Sequence, residues 1–123
     1  MGSKHILVID DDPDIRDLVQ MSLENVQGWR VSLAASGGEG VDVAHVLRPD
    51  AILLDVMMPG MNGPATFEAL RDKAATRQIP VVLLTANPQA DERYRAELQL
   101  SGMIAKPFNP LMLAKRLTEL LGW

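Results

Sequence analysis

The chain has 123 residues, 47% hydrophobic and 23% charged, the balance of one globular domain rather than a disordered chain. Lys and Arg number 12 against 16 Asp and Glu, and the net charge of −4 argues against phosphate-driven nucleic-acid binding by this domain alone. Without cysteine there is no disulfide, thiolate metal site or cysteine nucleophile, and no apolar run nears the ~20 residues of a membrane span, so the expected setting is cytoplasmic.

Met1-Gly2-Ser3 precedes a core expected at about residues 4–121 of a single domain, 1–123. Ile6-Leu7-Val8-Ile9 is an unbroken aliphatic run, as in a strand buried on both faces. Asp12-Pro13 sets a cap before a first-turn proline, after which Ile15, Leu18, Val19, Ser22 and Val26 recur on one helical face. Arg30-Val31-Ser32-Leu33 alternates polar and apolar like a half-exposed edge strand. Ser36 with Glu39 reads as a capping box; Gly37, Gly38 and Gly40 lack the spacing of a phosphate loop and read as turn and helix-start residues. Pro49 leads into a second buried run, Ala51-Ile52-Leu53-Leu54, and Gly63-Pro64 starts a third helix. Pro80 leads into Val81-Val82-Leu83-Leu84, followed by Asn87-Pro88 and a fourth helix. Met103-Ile104-Ala105 is a last, shorter strand, and Asn109-Pro110 opens a fifth helix carrying Leu113, Leu117 and Leu120.

Five β-α repeats with crossovers of this length predict an α/β fold: a doubly wound, five-stranded parallel sheet with five helices on its two faces. Ligands of such sheets bind beyond the carboxyl ends of the strands. There the sequence places Asp10 and Asp11 after the first strand, Asp55 after the third, Thr85 after the fourth and Lys106 after the fifth. In strand order 2-1-3-4-5 the first and third strands are neighbours, so three carboxylates converge beside a hydroxyl and an ammonium. Two like charges 4 Å apart repel by ~4 kcal/mol at an effective dielectric of 20, so a cation must neutralise the site or a pKa must rise. Carboxylates without imidazole or thiolate suit a hard, oxygen-seeking ion: Mg²⁺, with Mn²⁺ as a substitute. In that setting Asp55 is equipped to attack phosphorus while Lys106 and Thr85 neutralise the phosphoryl oxygens.

Four stretches, Ile6 to Pro13, Pro49 to Gly63, Leu83 to Ala86 and Ala105 to Phe108, resemble the response-regulator receiver domain in order and spacing, over roughly Lys4 to Leu121. The resemblance implies a flavodoxin-like fold and a phosphorylation-controlled signalling switch rather than a turnover enzyme, catalysing only its own phosphorylation and dephosphorylation. By resemblance, Asp55 is the phosphoacceptor, Asp11 a direct metal ligand, and Asp10 a ligand acting largely through metal-bound water. The backbone carbonyl of Met57 completes the metal shell, Lys106 binds the phosphoryl group across a cis bond to Pro107, and Thr85 is the switch hydroxyl. The implied partners are a histidine kinase or histidine phosphotransfer protein as donor and an output partner on the face formed by the fourth helix, fifth strand and fifth helix. The domain is then a monomer or a phosphorylation-dependent dimer.

One position departs from the pattern: Met103 stands where receivers commonly carry an aromatic switch residue, and a thioether lacks a rigid two-state ring. Met57 and Asn87 occupy the positions that by resemblance tune access of hydrolytic water, and the apolar Met57 implies slow dephosphorylation. Two other readings compete: an aspartate-nucleophile phosphohydrolase using Asp10 and Asp12, and an inert interaction module retaining only the fold. Asp12 reads more simply as a helix cap, His5 and His45 as structural, and Met57, Met58 and Met61 as packing. Tyr94 and Leu98 fit either core or partner surface.

Overall fold

Side chains along a strand point alternately to opposite faces, so an all-apolar strand needs cover on both. The computed structural model describes residues 3–123; Met1 and Gly2 lie outside the described residues. Strands β1 (His5–Ile9), β2 (Arg30–Ala34), β3 (Ala51–Asp55), β4 (Val81–Thr85) and β5 (Gly102–Ala105) form one parallel sheet in the order β2-β1-β3-β4-β5. Helices α1 (Pro13–Ser22), α2 (Gly37–Leu47), α3 (Gly63–Arg71), α4 (Pro88–Glu97) and α5 (Leu113–Leu121) alternate with them. This is the predicted doubly wound α/β fold, with the switch in strand order between β1 and β3.

The period of two divides each strand between two cores. Leu7, Ile9, Ile52, Leu54 and Leu83 face α2 and α3, packing with Ala44, Phe67 and Leu70. Ile6, Val8, Leu53, Val82 and Leu84 face α1 and α5, packing with Val19, Leu113 and Leu117. The register Leu7↔Ile52 and Ile9↔Leu54 keeps like-facing residues in line across the switch point. Tyr94 of α4 and Leu98, the residue that caps its end, are half-buried against the first core, which also holds Met103.

Several local expectations shift. Asp55 and Thr85 close their strands rather than follow them. Val26 is 48% exposed: α1 widens into a π-helical turn at Leu23–Gln27, the phase slips, and Leu23 takes the buried place. Asn62, not Gly63, caps α3, its side chain accepting the Ala65 N–H at 2.9 Å. Asn109-Pro110 does not open α5. The Asn109 side chain accepts the Leu111 N–H at 3.0 Å and its carbonyl the Met112 N–H at 3.0 Å, closing a turn before the helix begins at Leu113. At α2 the Ser36 hydroxyl accepts the Glu39 N–H, but the Glu39 carboxylate takes the N–H of Ala35, one residue beyond the reciprocal partner.

Candidate functional site

At the carboxyl edge the parallel ladder runs slightly past its strands: the Asp10 N–H donates to the Ala34 carbonyl at 3.1 Å. That bond extends β1 by a residue and turns Asp10 inward, where it is fully buried, while Asp11 is exposed. Asp55, at the end of β3, is 5% exposed. Asp10, Asp11 and Asp55 each present a carboxylate oxygen within 4.8 Å of the others, the convergence expected from the strand ends.

Lys106 enters from the far edge. Its backbone N–H donates to the Thr85 carbonyl at 2.8 Å, continuing the β4–β5 ladder, and the bond to Pro107 is cis. Its Nζ donates to Asp10 Oδ2 at 2.8 Å and to Asp55 Oδ1 at 3.0 Å. The other Asp10 oxygen, Oδ1, accepts the Asp12 N–H at 2.9 Å. Arg16 of α1 donates from Nη1 to the Asp10 carbonyl at 2.9 Å, a support that the helical pattern did not single out.

One ammonium between two carboxylates, with a third close by, leaves the site short of positive charge. Burial raises the Asp55 carboxyl from its ordinary 3.8 to about 6; the Lys106 hydrogen bond opposes that shift, and the charges of Asp10 and Asp11 add to it. Burial pulls the Lys106 ammonium down, but its bonds to Asp10 and Asp55 outweigh this and hold it above its usual value. A donor set of three carboxylates, without imidazole or thiolate, fits a hard divalent cation of the Mg²⁺ type.

The remaining positions fall around this centre. Met57 is exposed in the loop between β3 and α3, which the Gly63 N–H closes onto the Val56 carbonyl at 2.9 Å. Gly63 must lack a side chain, because a Cβ there would lie 2.6 Å from the Asp55 carbonyl oxygen. Thr85 is buried, but among the described residues its hydroxyl engages α4 rather than the acidic cluster. It donates to Asp91 Oδ2 and accepts the Asn87 N–H at 2.9 Å. Asp91 was missed in the sequence, where only its first-turn place after Asn87-Pro88 could have marked it. Asp12 caps α1, accepting the Asp14 N–H at 2.9 Å, so its carboxylate serves the helix. His5 is a structural residue: its Nε2 pairs with the Ser32 hydroxyl at 2.7 Å. Burial, then the Arg30 charge, lower its pKa, and Asp50 partly opposes them. His45 is exposed on α2; Met58 is buried, and Met61 is exposed.

Known proteins resemble this chain in sequence and in fold. A family model described as the response regulator receiver domain matches residues 6–118. The transcriptional regulatory protein AfsQ1 of Streptomyces coelicolor is 39% identical over 94% of this chain and 50% of its own length. The DNA-binding dual master transcriptional regulator RpaA of Synechocystis is 38% identical over 94% of this chain and 48% of its own. The chain thus spans about half the length of the curated relatives it matches. Among solved structures, the chemotaxis response regulator CheY4 of Vibrio cholerae superposes with a TM-score of 0.87 at 32% identity, covering 97% of this chain and 99% of that one. The receiver domain of the sensor histidine kinase PA1611 from Pseudomonas aeruginosa, solved with a magnesium ion coordinated in its active site cleft, gives 0.86 at 30% identity, covering 99% and 100%. A match that runs from β1 into α5 is a match to the whole wound sheet, and the chain belongs to the response regulator receiver domain family.

Proposed function

We propose that this domain is a phosphoacceptor switch in which Asp55 takes a phosphoryl group from a phosphohistidine of a sensor kinase or phosphotransfer protein. The observation that carries the reading is the Lys106 ammonium held between Asp10 and Asp55, with the carboxylate oxygens of Asp10, Asp11 and Asp55 within 4.8 Å of one another. Lys106 engages Asp55 Oδ1 and leaves Oδ2 as the nucleophile. That oxygen forms the new P–O bond as the P–N bond breaks, and the bonding pair returns to the imidazole nitrogen of the donor.

Asp10, Asp11 and Asp55, with the Met57 carbonyl, are the residues that would hold Mg²⁺ or Mn²⁺. When bound, the ion supplies the positive charge that the cluster and the incoming phosphoryl group need. Lys106, already oriented by two hydrogen bonds, passes from the Asp55 carboxylate to a phosphoryl oxygen without crossing the site. A phosphoryl group adds roughly −1.5 to −2 charges, and Thr85 reads that charge by donating its hydroxyl toward it. The change reaches a partner through the face of α4, β5 and α5. The domain is one unit, 1–123, and assists only its own phosphorylation and dephosphorylation; it works as a monomer or a phosphorylation-dependent dimer.

The test is intact mass after treatment with acetyl phosphate and Mg²⁺. Wild type gains one phosphoryl group that hydroxylamine removes, and Asp55→Asn gains none. A wild type that stays unmodified, or an Asp55→Asn variant that is modified equally, overturns the reading.

A further inference from the structure

The Thr85 hydroxyl has one proton to donate, and a hydroxyl can serve only one acceptor with it. Thr85 is 1% exposed, so that proton needs a protein partner, and Asp91 on the first turn of α4 is the partner. The same oxygen accepts the Asn87 N–H at 2.9 Å, so both hydrogen bonds of the hydroxyl run to the start of α4. Resting on the reading of Thr85 as the switch hydroxyl, we propose that Asp91 is its off-state latch. It is a positioning residue that holds Thr85 against α4 and competes with the phosphoryl group for its proton.

The rest of α4 makes this latch consequential. No residue of α4 is fully buried. Its apolar attachment is Tyr94 and Leu98, both half-buried, toward its far end. Its first turn is therefore held to β4 through the Thr85 hydroxyl, by the Asp91 carboxylate and the Asn87 N–H, in the manner of elements that open at low free energy. When Thr85 turns its proton to the phosphoryl group, the Asp91 carboxylate returns to water at the positive end of a helix, where an anion is tolerated. The exchange is one charge-assisted hydrogen bond for another. Met103, the residue in the place of an aromatic switch, is buried in the core, so the hydroxyl and its two alternative acceptors form the discrete two-state element.

The experiment is a titration with beryllofluoride in saturating Mg²⁺, followed by the amide resonances of β4 and α4. Variants are Asp91→Ala and Asp91→Asn, with Glu92→Gln as a control that removes a neighbouring, exposed charge of the same helix. Losing a competing charge-assisted bond of about 1.4 kcal/mol strengthens apparent affinity about tenfold, so Asp91→Ala binds tighter by that order. Asp91→Asn falls between it and wild type, and Glu92→Gln stays with wild type. In a Thr85→Ala background, Asp91→Ala adds nothing, because the coupling runs through the hydroxyl. Should Asp91→Ala melt α4 in the unliganded spectrum, the isosteric Asp91→Asn carries the test. A responding wild type matched by both Asp91 variants overturns the latch alone, as does a gain that survives in Thr85→Ala. A wild type with no beryllofluoride response overturns the phosphoacceptor reading and the latch with it.

Discussion

Asp55 is 5% exposed and Met57, two residues on, is 78% exposed, because the strand ends between them and the chain turns out toward solvent. That contrast sets what each side chain can do to an acyl phosphate. A buried carboxylate keeps the phosphoryl bond away from bulk water, and a thioether at the rim is too weak an acceptor to orient an attacking water. Under the proposed function, Met57→Asn therefore speeds decay of the acyl phosphate several-fold. Radiolabel or intact-mass time courses after donor removal read the rate, and unchanged decay would sink the idea. The acids and the lysine were legible one by one because each ends an apolar run. The partner of Thr85 was not, since Asp91 reaches it only by the way α4 seats against β4.

At the scale of elements, the loop from β3 to α3 does the positioning. Asn62 caps the helix, Gly63 closes the loop on Val56, and the missing Cβ of Gly63 lets α3 start against the Asp55 carbonyl. A methyl group there meets backbone at 2.6 and 2.8 Å, which no side-chain rotation relieves. Gly63→Ala should cost about 1–3 kcal/mol in urea or thermal unfolding and, under the proposed function, also weaken Mg²⁺ binding, since the displaced backbone carries Asp55. Full stability with normal Mg²⁺ affinity would show that the loop absorbs the methyl group elsewhere. Element boundaries were the weak part of the sequence reading, for two reasons. A π-helical turn slips the helical phase, which exposed Val26 and buried Leu23. The Asn-Pro pair at 109–110 suits a turn as well as a helix start, and here the Asn109 side chain and carbonyl close a turn ahead of α5.

For the whole molecule, the acidic cluster sets a pH dependence of stability. Asp55 titrates at about 6 folded against an ordinary 3.8. Its folded pKa is raised, so the stability linked to its proton is fully present below about pH 4 and is lost as pH rises through 6. A shift of about two units corresponds to at most about 3 kcal/mol across that window. Without divalent ions, the stability advantage of Asp55→Asn over wild type should grow from pH 4 to pH 7. Saturating Mg²⁺ should shrink that gap by stabilising wild type. Unfolding midpoints across pH, with and without Mg²⁺, read both effects, and a gap independent of pH would contradict the charge balance described here.

The linear order of apolar runs, prolines and capping residues determined by itself the β-α alternation, the wound sheet and the strand ends at which chemistry gathers. These depend on periodicity and local sterics, which a sequence carries in full. Only the tertiary structure decided that a single ammonium bridges Asp10 and Asp55, that Arg16 supports Asp10, and that the Thr85 hydroxyl faces Asp91 instead of the acids. Each of those depends on how one element seats against another, across as many as 96 residues of chain, and no local pattern encodes a distance of that kind.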